Sequence, residues 1–256
     1  MKINTHEFNE YLGGLSHDDP AVRRKSMGGL ANYSSAEWEG TPDAITAAVA
    51  AVQSACRLRA AAAQDGAVRA EAAKVLGNIG TKSPAVLPEL VRLLQKDADG
   101  RVRTEAARAL GKIGEGAASA SRSIAAVLGD PQGGEALRGA AAWALARVDP
   151  LSAGTASSLD AAADDRSGHV GVCAAEALWK VSPETGRAIL ALAARLGDPE
   201  VGQAAAQALY RIGPAAKEAV PALIAAAKAK DRLFRESVIL ALRKIDPQAM
   251  AKARLN

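Results

Sequence analysis

Few side chains in this 256-residue chain are of types that do chemistry, with three histidines and two cysteines in all. One set is spaced for joint action. His169, Cys173 and Glu176 follow one another at four and three residues, intervals that bring helical side chains onto one exposed face. A metal site or a thiol nucleophile beside an imidazole is the chemistry to weigh. One Cys and one His supply half of a four-ligand zinc shell, and no second cluster completes it. Polar residues on a solvent-facing helix are the simpler reading, and no catalytic residue, metal or cofactor is expected.

A second set is spaced by recurrence. Lys112, Arg147, Lys180, Arg211 and Lys244 return at intervals of 31 to 35 residues, and Trp143 stands one helical turn before Arg147. Cations in a last helical turn complement the helix dipole by about 0.3–1 kcal/mol. Dipole pairing favours positive charge but does not require it in five consecutive copies, so a binding strip is the competing reading. Trp and Arg at the centre of a surface are the types that dominate interfaces. Trp179 and Tyr210 extend this aromatic line or pack against the next helix, packing being the simpler case.

The elements that position these residues repeat. Asp99 to Gly114 reads as a helix in which Val102, Leu110 and Ile113 share one side. The triple returns as Val22/Leu30/Tyr33, Val68/Leu76/Ile79, Leu137/Leu145/Val148, Val170/Leu178/Val181, Val201/Leu209/Ile212 and Phe234/Leu242/Ile245, its first members 46, 34, 35, 33, 31 and 33 residues apart. Three residues before each anchor stand Asp19, Asp65, Asp99, Gly134, Ser167, Asp198 and Asp231, residue types that cap helix N-termini. Pro20 and Pro199 suit the first helical position. Twelve residues after the anchor come Ser34, Gly80, Gly114, Asp149, Ser182, Gly213 and Asp246, where the helix stops. This anchor helix is helix B. Ahead of it lies a second apolar segment, helix A: Pro84 to Gln95, Ala117 to Leu128, Leu151 to Ala163, Pro183 to Leu196 and Pro214 to Lys228. Neither can bury its stripe alone, so successive hairpins must stack.

The start of Asp65 to Arg69 and of Asp99 to Arg103, the ending Ala109 to Gly114, and the prolines Pro88 and Pro221 inside helix A resemble the HEAT repeat superfamily, in its bacterial HEAT-like branch named after phycobilisome lyases. The resemblance covers nearly the whole chain. It implies an all-α fold, a right-handed α-solenoid of about seven hairpins, with the B helices on the concave side. In such repeats the Arg after the anchor (Arg23, Arg69, Arg103, Arg138, Arg235) looks like half of an Asp–Arg ladder, with Asp19, Asp65, Asp99 and Asp231 as partners. Gly171 and Gly202 leave repeats five and six without it.

A single domain is expected over 1–256. Residues 1–33 form an N-terminal capping hairpin, with His6 to Leu15 as helix A and Pro20 to Tyr33 as helix B. Residues 34–41 are an inserted loop, 42–246 hold repeats two to seven, and 247–256 cap the C-terminus. After the insert a long A-type helix opens with the cap Thr41, Pro42 and Asp43 and runs towards Ala63. Trp38 in the insert is a plug over the first repeat or an exposed contact, the plug being preferred because a buried aromatic pins a loop.

Apolar residues make up 49% and aromatics 3%, so the core is built from Ala, Leu, Val and Ile. The net charge is +4, and each half of the chain carries 16 Lys and Arg against 14 acidic residues. No charged arm calls for nucleic acid. Membrane-length apolar runs and a signal-peptide core are absent from the sequence, so a cytoplasmic location is the default. Cys56 and Cys173 lie three repeats apart, too far for a disulfide. Within the resembled superfamily, deoxyhypusine hydroxylases need repeated His-Glu pairs, and His6 and Glu7 form the one pair here. DNA glycosylases need an acidic catalytic group, and Glu71, Glu105 and Glu176 are unremarkable surface glutamates. A bilin pocket has no residue signature here.

The expected function is non-enzymatic binding of a macromolecule along the B-helix surface through Lys112, Trp143, Arg147, Lys180, Arg211 and Lys244. An acidic or amphipathic protein segment is the expected partner. A nucleic-acid cradle of the glycosylase type and a HEAT-like bilin lyase are the alternatives.

Overall fold

The computed structural model describes residues 4–34, 37–38, 42–58, 66–81 and 83–253, apart from the side chains of 42, 54–58 and 84. The Cys56 side chain and the expected caps Thr41 and Asp65 lie outside what is described. No strand occurs among them. They form two compact units, Met1–Asp149 and Pro150–Asn256.

The first unit contains α1 (Thr5–Gly14), α2 (Pro20–Ala31), α3 (Pro42–Leu58), α4 (Gly66–Gly80), α5 (Leu87–Lys96), α6 (Gly100–Ile113), α7 (Ser121–Leu128) and α8 (Glu135–Val148). The second contains α9 (Ala153–Ala163), α10 (Gly168–Val181), α11 (Arg187–Ala194), α12 (Gly202–Ile212), α13 (Val220–Ala226), α14 (Arg232–Ile245) and α15 (Pro247–Lys252). Even-numbered helices from α2 to α14 are the B helices. In the first unit α2 packs on α4, α4 on α6 and α6 on α8; in the second α10 packs on α12 and α12 on α14. Alanines four, five and seven residues after the anchor make these contacts thin: Ala106, Ala107 and Ala109 of α6, and Ala205, Ala206 and Ala208 of α12, are all buried. No helix among the described residues is long and apolar enough to cross a membrane.

The caps follow the residue types. Asp19, Asp99, Ser167 and Asp231 each accept a backbone N–H of the helix they precede, which satisfies one of the amides a helix start leaves unpaired. The Arg101 guanidinium and amide both bond the Asp99 carboxylate and hold its pKa below the usual range. Two B helices depart from expectation. The first ends at Ala31, two residues short of Tyr33. In α12 the helix begins at Gly202, so Pro199 lies in a preceding turn, where Asp198 Oδ1 accepts the Glu200 and Val201 amides.

The A helices are shorter than the apolar segments that announce them. Four start with a 3₁₀ stretch, at Pro84–Val86, Gly114–Ala120, Pro183–Thr185 and Gly213–Ala219. Gly114 and Gly213 take φ of 71° and 75°, a left-handed geometry that glycine alone adopts freely, and turn the chain directly from helix B into the 3₁₀ stretch. Pro88 and Pro221, expected inside helix A, sit in the first turns of α5 and α13, where the missing N–H would be unpaired anyway.

Trp38 is fully buried. Its ring meets Phe8 and Tyr33 edge-on at 5.8 Å each, and those two meet at 6.3 Å. Trp38 is thus packed against the first hairpin in an aromatic trio.

The arginines after the anchors are structural, and four of them bond backbone carbonyls. Arg23 donates to the carbonyls of His17 and Asp18, Arg103 to Leu94, Arg138 to Leu128, and Arg235 to Ala229 and Lys230. Each staples helix B to carbonyls at or just past the end of its own helix A, the groups a helix C-terminus leaves without intrahelical donors. Arg69 instead grips Asp97, in the loop of the next hairpin, through two bonds of 2.7 and 2.9 Å. Asp19, Asp99 and Asp231 serve as N-caps.

Nor are the glycine copies empty. A Cβ on Gly171 would fall 1.9 Å from the Arg195 guanidinium, which lies over the glycine and donates to the Asp165 carbonyl at 3.0 Å. The arginine that repeat five lacks is supplied by the end of the following helix A. At Gly202 the Leu196 carbonyl approaches within 2.7 Å of the Cβ position, leaving no room for any side chain.

Candidate binding face of the B helices

The tenth residue after each anchor lies in the last turn of helix B, about 280° round the wheel, beside the end of the preceding B helix. All five cations of the expected strip are exposed. In the first unit the Lys112 ammonium bonds Asn78 Oδ1, and Asn78 Nδ2 donates to the carbonyls of Ala31 and Tyr33 at 3.1 and 2.9 Å. Arg147 Nε donates to the Gly111 carbonyl at 2.8 Å. In the second unit Arg211 pairs with Glu176, and Lys244 Nζ stands 4.3 Å above the Tyr210 ring. These side chains tie one B helix to the one before it. Lys180 has no bond or ion pair among the described residues and stands exposed on α10.

Asn78 occupies the same tenth position in repeat two, so the tie is a property of the position and not of charge. A search for cations passes over it, although its spacing from Val68 carries the signal.

Trp143 is 37% exposed. Its ring lies across Gly111, where a Cβ would fall 2.3 Å from the ring, and the Arg147 guanidinium sits 5.0 Å from the ring centroid. Tyr210 is 43% exposed, contrary to the packed placement expected for it: α14 brings the Lys244 ammonium over its ring in place of apolar cover. Trp179 packs against the core of the second unit. Each unit therefore presents one aromatic face capped by a position-ten cation, a favourable electrostatic pairing.

The chemical alternatives find little support. Cys173 Sγ lies 3.8 Å from His169 Nε2, but the thiol is half-buried rather than exposed, and burial first, then Glu176, push its pKa up against the opposing pull of Arg211. Glu176 is engaged by Arg211. A raised thiol pKa means less thiolate at neutral pH. Alkylation of Cys173 at about pH 7.5, read by peptide mass spectrometry, should be slower in the native protein than after denaturation; faster native labelling would restore the nucleophile reading. Glu71 and Glu105 pair with Lys74 and Arg108 on their own helices. Among the described residues no group of three or more His, Cys, Asp or Glu is placed to hold a metal.

Known proteins share this architecture. The family model for HEAT repeats matches residues 56–146, and that for the PBS lyase HEAT-like repeat matches 201–229. No curated protein matches the sequence. Similar solved structures include YibA of Escherichia coli, with a TM-score of 0.60 at 17% identity over 94% of this chain and 83% of that one. A designed armadillo repeat protein has a TM-score of 0.46 at 20% identity, over 93% and 100% of the two chains. Human deoxyhypusine hydroxylase has a TM-score of 0.38 at 21% identity, over 95% and 97%. Two stretches, 56–146 and 201–229, thus match HEAT-type repeat models, and the chain shares the all-α helical-hairpin fold of YibA.

Proposed function

We propose that the protein is a non-enzymatic binding scaffold whose exposed B-helix face takes an acidic, amphipathic segment of a protein partner. The observation that carries this is the pair of half-exposed aromatics, Trp143 and Tyr210, each lying under a cation. Aromatic rings offer large contact area at little entropic cost, and central Trp and Arg dominate interface energetics. The cations favour carboxylates, and each ring favours an apolar side chain laid against it. Of the six residues assigned to this face, Lys112, Arg147 and Arg211 also hold the repeats together. Lys180 carries no such load, and Lys244 contributes its ring contact.

The test uses a labelled synthetic peptide of alternating glutamate and leucine or phenylalanine, followed by fluorescence anisotropy. Trp143→Ala should weaken binding by about 2 kcal/mol, or roughly thirtyfold. Lys180→Glu should weaken it further without lowering the melting temperature, since exposed charges contribute little to folding. Unchanged affinity in both variants sinks the reading. A single-stranded oligonucleotide run in parallel tests the nucleic-acid alternative, which the same cations and aromatic rings would also suit. Binding to it that falls linearly with log salt, about 0.7 per phosphate contact, while the peptide fails to bind, would favour that alternative.

A further inference from the structure

A second surface lies away from the strip, in the second unit, where the α11–α12 loop faces the α13–α14 loop. An open groove of about 970 Å³ runs between them. Its origin is local. The first turn expected of α12 is missing, since residues 198–201 form a turn and the helix begins at Gly202. The wall that regular copies build from helix is therefore absent. The anchor beyond the gap is also the largest of the seven. Phe234 is half-buried, whereas Val102 and Val170 in the same register are fully buried. Beside it Leu233 is 65% exposed. Leu196, Ala225 and Ala229 complete an apolar floor with small side chains that admit a close approach.

The rim is acidic. Asp198, Glu200 and Asp231 line the groove against the single cation Lys228, and among the described residues none of the three carboxylates forms an ion pair with a cation. The corresponding groove of the first unit, about 670 Å³ between the starts of α6 and α8, serves as an internal control. It is lined by Arg101, Arg103 and Arg108 together with Asp99, Glu105 and Glu135, with Ala98, Ala136 and Leu137 as its apolar part, so it lacks the acidic excess and the aromatic side chain. Exposed apolar surface framed by an excess of charge of one sign is the pattern of a docking site for an oppositely charged amphipathic segment.

We infer that this groove docks a cationic amphipathic segment of a partner protein, with an apolar side chain set against Phe234 and Leu233 and Lys or Arg meeting Asp198, Glu200 and Asp231. The site is independent of the B-helix face: its residues belong to the loops and the helix ends beside them, and its charge preference is the opposite.

Two labelled synthetic helical peptides with one leucine and phenylalanine face, and either lysine and arginine or glutamate on the other, are titrated with the full chain. The cationic peptide should bind in the groove, and any binding of the glutamate peptide should be insensitive to the groove variants. Glu200→Lys and Leu233→Lys, both at exposed positions, should each raise the dissociation constant at least about tenfold, and circular dichroism should show unchanged helicity. Trp143→Ala should leave this affinity alone, which separates the groove from the strip. The proposal is overturned if Glu200→Lys and Leu233→Lys bind the cationic peptide as well as the parent. It is equally overturned if Glu200→Lys and Leu233→Lys weaken the glutamate peptide as much as the cationic one, or if sedimentation shows a self-association abolished by Leu233→Lys with no cationic-peptide binding, which would make a second copy the occupant.

Discussion

Trp38→Ala should unpin the first hairpin, with a loss of about 3–5 kcal/mol, the range for deleting a buried large aromatic. The cost concentrates at one end of the chain. Phe8 is the sole buried residue within α1, and it packs edge-on against Trp38 and Tyr33, so removing the indole leaves α1 with little apolar hold. In a stacked array each repeat leans on its neighbours, and a terminal repeat can open alone. Hydrogen exchange should therefore accelerate in α1 and α2 well before α6 responds. Equal acceleration in α6, or none in α1, would show that the trio is not what fastens the terminus.

Arg69→Ala should cost a comparable amount, about 3–5 kcal/mol, because it strands the Asp97 carboxylate in a buried setting. The two side chains are 7% and 4% exposed, and Asp97 then retains the Asp99 amide at 2.9 Å as its bonded donor. The loss reflects an abandoned charge more than the intrinsic worth of the pair. Arg69→Met combined with Asp97→Asn should consequently recover most of the stability, since asparagine still accepts the Asp99 amide and no charge is left unpaired. Urea midpoints of the parent, Arg69→Met, Asp97→Asn, the double variant and Arg69→Ala test the claim. If the double variant is as unstable as Arg69→Ala, the arginine acts through packing and not through its charge.

The B helices were legible because their signals are local: Val102, Leu110 and Ile113 keep helical period, Asp99 caps, and Gly114 stops. The A segments were legible as apolar but not as mixed 3₁₀ and α structure. Gly114 and Gly213 set the geometry of the next segment by backbone turns that hydrophobic period does not encode. The delayed start of α12 has the same character. Asp198 and Pro199 give correct capping signals, but they shape a turn that precedes the helix.

For the candidate site, the sequence marks a recurring tenth position and the exposed Trp143. It does not reveal that Lys112, Arg147, Arg211 and Lys244 reach back to the preceding helix, because spacing within one helix fixes a side chain's face and not its register against a neighbour. Nor does it reveal, for that reason, that Arg103 and Arg138 reach the carbonyls of Leu94 and Leu128. Arg195 was invisible to a reading by repeat position, since it occupies a different position in a different hairpin.

The placement of Arg195 over Gly171 bears on how such a chain can be rearranged. A perfect tandem array is modular: one period can be excised or duplicated, and every remaining copy keeps its own parts. Here the fifth copy borrows its guanidinium from the sixth. Excising residues 183–213 should leave the Asp165 carbonyl without that donor and a hole above a bare glycine. Duplicating the fifth copy alone should create the same defect at the new junction. These two copies are heritable only as a pair, and a library that shuffles them separately should return folded clones mainly where an arginine is restored at position 171.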